Sequence, residues 1–515
     1  MAVESESLTL EDAPARGSRL LRWIEVVGNR LPHPFMMFVW MTLTTMALSA
    51  LLAALEISVV HPGTGKEVLI RSLFSREGVG WIVTHVLTNF TAFRPLGLVL
   101  TMMMGIGLAE KTGLIQTSMR TMLLRVPAFM MTFMVVMTGI VGNLASDAAF
   151  VVIPPLAALA FRSVGRHPVA GLVAGFAGVS SGFTANIFVS GTDALLSGIT
   201  TEAAVAIQPD LAVTPVANWY FMVSSVFMLS LIGVFVTEKI VVPRLAPWKE
   251  EEGAPVVMED LSPAEKSAMR WTGVAALLFI AAIAAMLIPE DGLLRDPVKG
   301  TIIPSPFLKG IVPVLVAFFV LVSTVYGYRA GKIKEAADVP RMMGESLSGM
   351  AGFIVLVFMV AQFIAFFNWS NMGVWVAVNG AEFLQASHIT GIPLIVGFVL
   401  VTAVLNLVIV SGSAQWALMA PVFVPMLMVM GYHPAVVQLA FRIADSSTNS
   451  ISPLNVYLPI LLAFMQKYDK RAGLGNLISL MIPYSALFLL TWTVMLVVWM
   501  FMGWDVGVDS PILLP

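Results

Sequence analysis

Pro434 to Asn455 reads PAVVQLAFRIADSSTNSISPLN. The stretch opens as an apolar helix, places Arg442 and Asp445 one turn apart, and then breaks into hydroxyl and amide residues. Beyond Asn455 the chain is apolar again until a basic cluster at Lys467, Lys470 and Arg471. The passage is long enough to cross a bilayer, yet its middle is polar and charged. In a soluble protein it would be a helix followed by a loop, and the rest of the chain argues against that reading.

Of 515 residues, 58% are hydrophobic and 12% charged, with a mean hydropathy of +0.88. Soluble chains carry about a quarter charged residues. An all-α integral membrane protein with little extramembrane mass is therefore expected. A net charge of −2 offers no handle for nucleic acid. The absence of cysteine removes disulfides, thiolate metal sites and cysteine nucleophiles together. No Walker A sequence and no H-E-x-x-H motif occur, which leaves ATP-driven transport and zinc proteolysis without support. No pairing of nucleophile and base marks an enzyme, and a channel is disfavoured by the closed hairpins described below. His167 and His433, each ahead of a proline, read as structural, and the methionines read as adaptable packing.

Lys and Arg are concentrated on cytoplasmic loops of membrane proteins. Arg16, Arg19, Arg22 and Arg30 place the lead, residues 1–34, inside. It has no apolar core of the signal-peptide kind, so the first span is expected to act as an uncleaved anchor. Residues 35–240 form the first unit: a span from Phe35 to Ile57, an outer loop to about Phe93, and a short return over Leu96–Ala109 to Lys111, Arg120 and Arg125. An apolar segment, 128–161, follows, with Asn143-Leu-Ala-Ser-Asp147 near its middle and arginines at both ends. It fits two full spans or a re-entrant hairpin equally well by charge. Next comes a helix over 168–200, broken at Ser180–Asn186, and then a return over Trp219–Val236. A hydrophilic linker, 241–270, and a connecting span, 271–290, lead to a second unit over 309–502. That unit carries its own hairpin, 392–430, turning at Ser411-Gly-Ser413, and its own broken helix, 434–465. The tail, 503–515, falls outside, for about nine spans and two hairpins in a multi-pass inner-membrane protein.

The halves are related. At one common offset Gly165-Arg-His-Pro168 falls on Gly431-Tyr-His-Pro434, Ser180-Ser181 on Ser446-Ser447, and NLASDAAF on IVSGSAQW. The first hairpin has basic flanks and the second has none, so the copies face opposite leaflets. Inverted repeats with paired interrupted helices are the mark of secondary transporters, whose site lies near the midplane.

Together NLASD, SSGFTANIFVSGTDALLSG, SGSAQWALMAPVFVPML and HPAVVQLAFRIADSSTNSISPLN resemble the AbgT family over essentially the whole chain. The resemblance implies p-aminobenzoyl-glutamate transport, and in some members sulfonamide export. It also implies a homodimer of nine-helix subunits with two hairpins, related to the divalent anion:sodium symporters.

A charge at mid-membrane costs roughly 2.5–3.5 kcal/mol on insertion scales. Arg442 and Asp445 share a helix face. They read either as a structural ion pair or as a site, with the guanidinium forked onto a substrate carboxylate and Asp445 titrating. Trp416 stands either as an interfacial anchor or as a ring that stacks on an aromatic substrate. The resemblance carries substrate contact to Asn406, Ser413, Trp416, Pro434, Arg442 and Asp445, and a coupling role to Asp193. In the first copy Asn143, Asp147, Ser180, Ser181, Thr184 and Asn186 offer hard oxygens suited to Na⁺, and Ser411, Ser413, Ser446, Thr448, Asn449 and Asn455 offer a second set. They equally serve to satisfy broken backbone. At helical rise Asp193 would lie roughly 10 Å beyond Asn186. No cofactor is expected beyond coupling by Na⁺ or protons. The expected partners are a small aromatic carboxylate or sulfonamide and membrane lipid. A di- or tricarboxylate symporter of the same fold is the alternative. The charges belong to the second copy only: the first has Phe176 and Val179 where it has Arg442 and Asp445.

Overall fold

The computed structural model describes residues 32–514, except 63, 125, 146, 246–259 and 304, and without the side chains of 145 and 147. Arg16, Arg19, Arg22, Arg30 and Arg125, with 246–259 of the 241–270 linker, lie outside the described residues. Eight of the described helices are long and apolar enough to cross a membrane, or up to ten when each bent pair counts as one span.

Helix α1 (Pro34–Ala54) starts on a proline behind His33, whose ring accepts the Phe35 N–H. A small antiparallel pair follows, β1 (Ser58–Val60) with β2 (Glu67–Leu69), Ser58 opposite Leu69. This is a minor departure from an all-α chain. Residues 76–91, expected in an outer loop, form α2 (Arg76–Thr91), capped by the Ser75 hydroxyl on the Gly78 N–H. Helix α2 runs into α3 (Arg94–Lys111), so the short return span is the inner part of a 36-residue rod. The two charges of α2, Arg76 and Glu77, sit in its first turn, which is why the rest of α2 can enter an apolar layer.

After α4 (Leu114–Leu123) the first hairpin consists of α5 (Met131–Gly142), a turn at Asn143–Ala145 and α6 (Asp147–Ser163). Helix α7 (Pro168–Ser181) is buried at every residue, packed between the two hairpin arms. Small residues make this possible. A Cβ on Gly178 would sit 2.5 Å from the Val136 carbonyl, and one on Gly171 would sit 2.4 Å from that of Ala157. Backbones in contact gain the dispersion that replaces the hydrophobic effect in lipid. Helices α8 (Gly191–Ala204) and α9 (Trp219–Val236) complete the first half, and α9 continues through a π turn at Thr237–Val241.

The second half begins with α10 (Pro263–Leu287), which exposes Leu277, Leu278 and Ile280 and packs mainly on α11 (Ile311–Arg329). Helix α12 (Asp338–Ser348) lays Met342 on Leu108 and Ile333. Helix α14 (Met372–Ala386), after α13 (Ala351–Trp369), buries Val374, Ala377 and Ala381. Helix α14 lacks Lys and Arg, and its apolar residues repeat at helical spacing. It meets α15 (Gly391–Asn406) at a bend of 117°. The second hairpin pairs α15 with α16 (Gly412–Val429). Helix α17 (Pro434–Thr448) is buried throughout, ends in a 3-10 turn at Asn449–Ile451, and is followed by α18 (Leu458–Gln466) and α19 (Leu474–Met502).

The tail crosses one end of the bundle as a strap. The Phe221 and Val508 N–H groups bond to Val506 and Val216 carbonyls, and those of His433 and Leu514 bond to Ile512 and Gly431. It therefore ties the start of α9 to the α16–α17 junction. At the opposite end α3 stops at Lys111 beside the end of α11, where Gly327 approaches Thr112. Arg120, Arg329 and Lys332 share this basic face.

The close α5–α7 crossing makes a direct test. Gly178→Val should remove the folded protein or lower its melting temperature in detergent by more than any Val substitution at Gly273, where a Cβ meets nothing within 4 Å. Fluorescence-detected size exclusion and a thermal ramp read both. Equal effects at the two sites would refute the packing account.

Candidate functional site

Helix α7 stops at Gly182, and residues 183–190 run without helix until Ser190 caps α8. The Ser190 hydroxyl accepts the Asp193 N–H, while Asp193 Oδ2 accepts from the Ser190 N–H at 2.7 Å, its hydroxyl at 2.8 Å and Asn186 Nδ2 at 2.9 Å. Asn186 and Asp193 are therefore neighbours, not separated by a helical rise, because the unwound chain folds back on the new helix.

The two breaks meet. Ser181 donates to Ser450 at 2.7 Å, and the Thr184 and Ser446 hydroxyls lie 2.7 Å apart. Arg442, 1% exposed, sends Nη2 to the Thr184 carbonyl at 2.6 Å and to Asp193 Oδ1 at 2.7 Å. Asp193 is thus the carboxylate that pairs with Arg442, not Asp445. In a helix i and i+3 share a face, but the guanidinium stem is long enough to reach across to the first break, where a carbonyl and a carboxylate sit together. Asn218 and Gln438 extend the network: Gln438 Nε2 donates to Asn218 Oδ1 at 2.8 Å, and Thr200 donates to Gln438 Oε1 at 2.6 Å. Neither Asn218, in the turn before α9, nor Gln438, within α17, carries a sequence signal that separates it from other amides.

Asp445 faces a different space. A cavity of about 290 Å³ is lined by Asp445 from α17, Asn449 from the 3-10 turn after it, Ser411 and Gly412 from the second hairpin, Asn455 and Tyr457 beyond the break, and Phe150 and Phe183 from the first half. Its volume lies near the lower end for small-molecule sites. Asp445 Oδ1 is buried there without a hydrogen-bond partner. The hairpin reaches the carboxylate because residue 412 is glycine: a Cβ would stand 2.9 Å from Oδ1. Phe150 and Tyr457 stack at 4.2 Å and 9°, with Phe183 at 6.0 Å from Phe150. These rings were not among the sequence candidates. Aromatic side chains are too common in a membrane chain for one to stand out by spacing.

The other candidates divide. Asn406 Nδ2 donates to the Asp445 carbonyl at 2.7 Å, to Thr448 at 2.9 Å and to Asn449 at 3.0 Å, joining the hairpin to the end of α17. Asn455 Nδ2 donates to the Asn449 carbonyl at 2.9 Å, and its Oδ1 accepts the Tyr457 N–H. Ser413 lies 3.2 Å from Ser411, Oγ to Oγ, and Thr448 returns its proton to the Ala444 carbonyl. Trp416 is fully buried away from the cavity, 4.6 Å from the Phe441 ring, with Nε1 on Thr200 at 3.0 Å. Pro434 opens α17 about 16 Å from Asp445 at helical rise. Asn143 and Asn186 share a second, water-sized cavity of about 10 Å³. The Ser180 hydroxyl and Asn143 Oδ1 are buried without partners. Ser181 and Thr184 are instead engaged by the second break, and the Asp147 side chain lies outside the described residues. Among the described residues no three of His, Cys, Asp and Glu cluster as metal ligands.

This geometry has solved counterparts. The model of the AbgT putative transporter family matches residues 19–514. The chain belongs to that family. It is 44% identical over 501 residues to the p-aminobenzoyl-glutamate transport protein of Escherichia coli (strain K12), covering 97% of this chain and 98% of that one. The Alcanivorax borkumensis YdaH transporter, described as having an unusual topology, superposes with a TM-score of 0.87 at 39% identity, covering 92% of this chain and all of that one. Neisseria gonorrhoeae MtrF, described as illuminating a class of antimetabolite efflux pumps, gives 0.88 at 44%, covering 93% and 97%. This AbgT-family chain is a multi-pass membrane transporter and not an enzyme.

Breaking a buried pair from one side costs roughly 3–5 kcal/mol, because the remaining charge stays uncompensated. Asp193→Asn should therefore lower thermal stability strongly, and adding Arg442→Gln should restore part of it. Additive losses in that double-mutant cycle, read by thermal unfolding in detergent, would rule out the pairing.

Proposed function

We propose that this chain is an ion-coupled secondary transporter of p-aminobenzoyl-glutamate and p-aminobenzoate-type folate metabolites, and that it also exports sulfonamide antimetabolites. The observation that carries the reading is the cavity pairing stacked rings with the unpartnered Asp445 oxygen. These compounds share a 4-aminophenyl group. The flat ring suits the face of Phe150 and Tyr457, and the aryl amine donates to Asp445 Oδ1. Arg442, given to Asp193 and the Thr184 carbonyl in this conformation, serves as a positioning residue that holds the two breaks in register. Trp416 acts through the same network, by way of Thr200 and Gln438, rather than by stacking on substrate. Asn406, Ser413 and Pro434 shape the hairpin and the helix around the cavity. A di- or tricarboxylate without an amine-bearing ring is disfavoured, because it would present charge and no donor to Asp445.

Coupling is assigned to Asp445 and Asp193. Two carboxylates beside one guanidinium leave an uncompensated negative charge, which a proton or Na⁺ moving with the substrate neutralises. Ser411, Asn449 and Asn455 supply oxygens around Asp445. Asn143, Asn186 and Ser180, with Ser181, Thr184 and Asp147 of the same turn and break, are the corresponding group in the first half.

The two halves are read as inverted copies, supported by hairpin, broken helix and closing helix recurring in the same order and by basic flanks on one hairpin alone. On the distribution of Lys and Arg the basic face is cytoplasmic, with the N-terminus inside and the tail in the periplasm. The family resemblance supports a homodimer in the bacterial inner membrane and a kinship with the divalent anion:sodium symporters.

Proteoliposomes loaded with labelled p-aminobenzoyl-glutamate or a sulfonamide, with Na⁺ and pH gradients imposed separately, test this. Both compounds should move under one of the gradients. Asp445→Asn should abolish gradient-driven movement, and Phe150→Ala should raise KM about 5- to 10-fold. Gly412→Ala, which pushes the hairpin off Asp445, should cut transport without unfolding the protein. If neither compound moves in the wild type, the reading fails.

A further inference from the structure

A separate cavity of about 670 Å³ opens on the basic face, between α4, the start of α10, the end of α11 and the outer arm of the first hairpin. It shares no lining residue with the central cavity. One wall is polar. Arg120 spends Nη2 on Glu265 at 2.8 Å, while its Nε is buried without a partner. Gln116 Oε1, a turn earlier on α4, is likewise buried and unpartnered. Lys332 adds an exposed ammonium at the rim, so Arg120, Lys332 and Glu265 leave one positive charge in excess. The facing wall is apolar, with Leu156 and Leu159 of α6.

An unpaired donor and an unpaired acceptor cost free energy unless a ligand or water meets them. Here they stand one helical turn apart, beside an ammonium and across from a hydrocarbon wall. A molecule that matches has an anionic group for Arg120 Nε and Lys332, an amide N–H for Gln116, and a flat apolar body. We propose that this cavity is a second binding site for aryl-amide carboxylates, a loading and release station at the basic face. The proposal rests on the substrate reading above and adds a site to it. Helix α6 borders both stations: Phe150 lines the central cavity and Leu156 this one, about 9 Å further along the helix. The larger volume takes a whole glutamyl conjugate, whereas the central cavity takes its 4-aminophenyl end.

Photolabelling with 4-amino-3-azidobenzoyl-glutamate, which keeps the aryl amine, in nanodiscs, with the labelled peptides mapped by mass spectrometry, tests the site without relying on transport. Label is expected on the Tyr457 peptide and also on peptides containing Gln116 or Leu156. Arg120→Lys keeps the charge opposite Glu265 but removes Nε. Lys332→Gln changes only an exposed rim residue. Together they should cut labelling at the basic face about 10-fold and leave the Tyr457 label and thermal stability unchanged. Label confined to the central cavity, or basic-face label indifferent to both substitutions, overturns the second site alone. No label at either place overturns the substrate reading and this proposal with it.

Discussion

The buried contact of Arg442 with Asp193 and the Thr184 carbonyl is the constraint on which the rest of the centre depends. A guanidinium 1% exposed in an apolar chain must find both charge and hydrogen-bond acceptors or leave the interior. α17 offers it too few acceptors, because the helix spends its own carbonyls on its own N–H groups. The unwound stretch after Gly182 supplies what a continuous helix cannot: a free carbonyl at Thr184 and a carboxylate held by Ser190 and Asn186. The break in the first half is thus the docking surface for the charge of the second. Ser181 with Ser450 and Thr184 with Ser446 close the same seam.

Each half contributes something the other lacks. The first presents small residues and rings: α7 is glycine-rich where the hairpin arms cross it, and Phe150 packs edge-on against Phe176 while its other face meets Tyr457. The second presents Arg442 and Asp445, the first of which is met by Asp193 across the seam. At the positions aligned by the sequence offset Phe176 and Val179 are apolar and Arg442 and Asp445 ionic, so the cavity takes Phe150 and Phe183 from one half and the Asp445 carboxylate with the Tyr457 ring from the other. Two identical halves would build either a greasy slot or a charged one.

Much of this was legible in the sequence. The hydroxyl runs in mid-span marked both breaks, since such residues at membrane depth need protein around them. Arg442 and Asp445 were marked by their cost in lipid. Their partners were not. Sequence neighbours on a helix face suggested a pair, whereas the long arginine stem made its bond to a residue far away in the chain. Asp193 looked remote because spacing was counted at helical rise through a segment that is not helical. Helix α2 was hidden by the charges of its first turn, Arg76 and Glu77. The rings around Asp445 were invisible for a statistical reason: in a chain with 31 phenylalanines none is conspicuous until the fold brings it to a cavity.

The central charges do not balance, and that imbalance bears on how such a site would work. Arg442 satisfies Asp193, whose second oxygen is held by Ser190 and Asn186. Asp445 retains a buried oxygen with no partner, and its main-chain carbonyl is already given to Asn406. An ionised carboxylate in that position is costly, and the cost falls when it gains a proton, a cation or a donor. An aryl amine is a neutral donor and removes only part of the charge. Closing the cavity over substrate alone would therefore bury a net negative site, whereas closing it over substrate with a cation or proton would not. On the proposed reading coupling would need no separate mechanical linkage: a carboxylate that recognised the amine would make the closed, loaded state favourable only with the ion present.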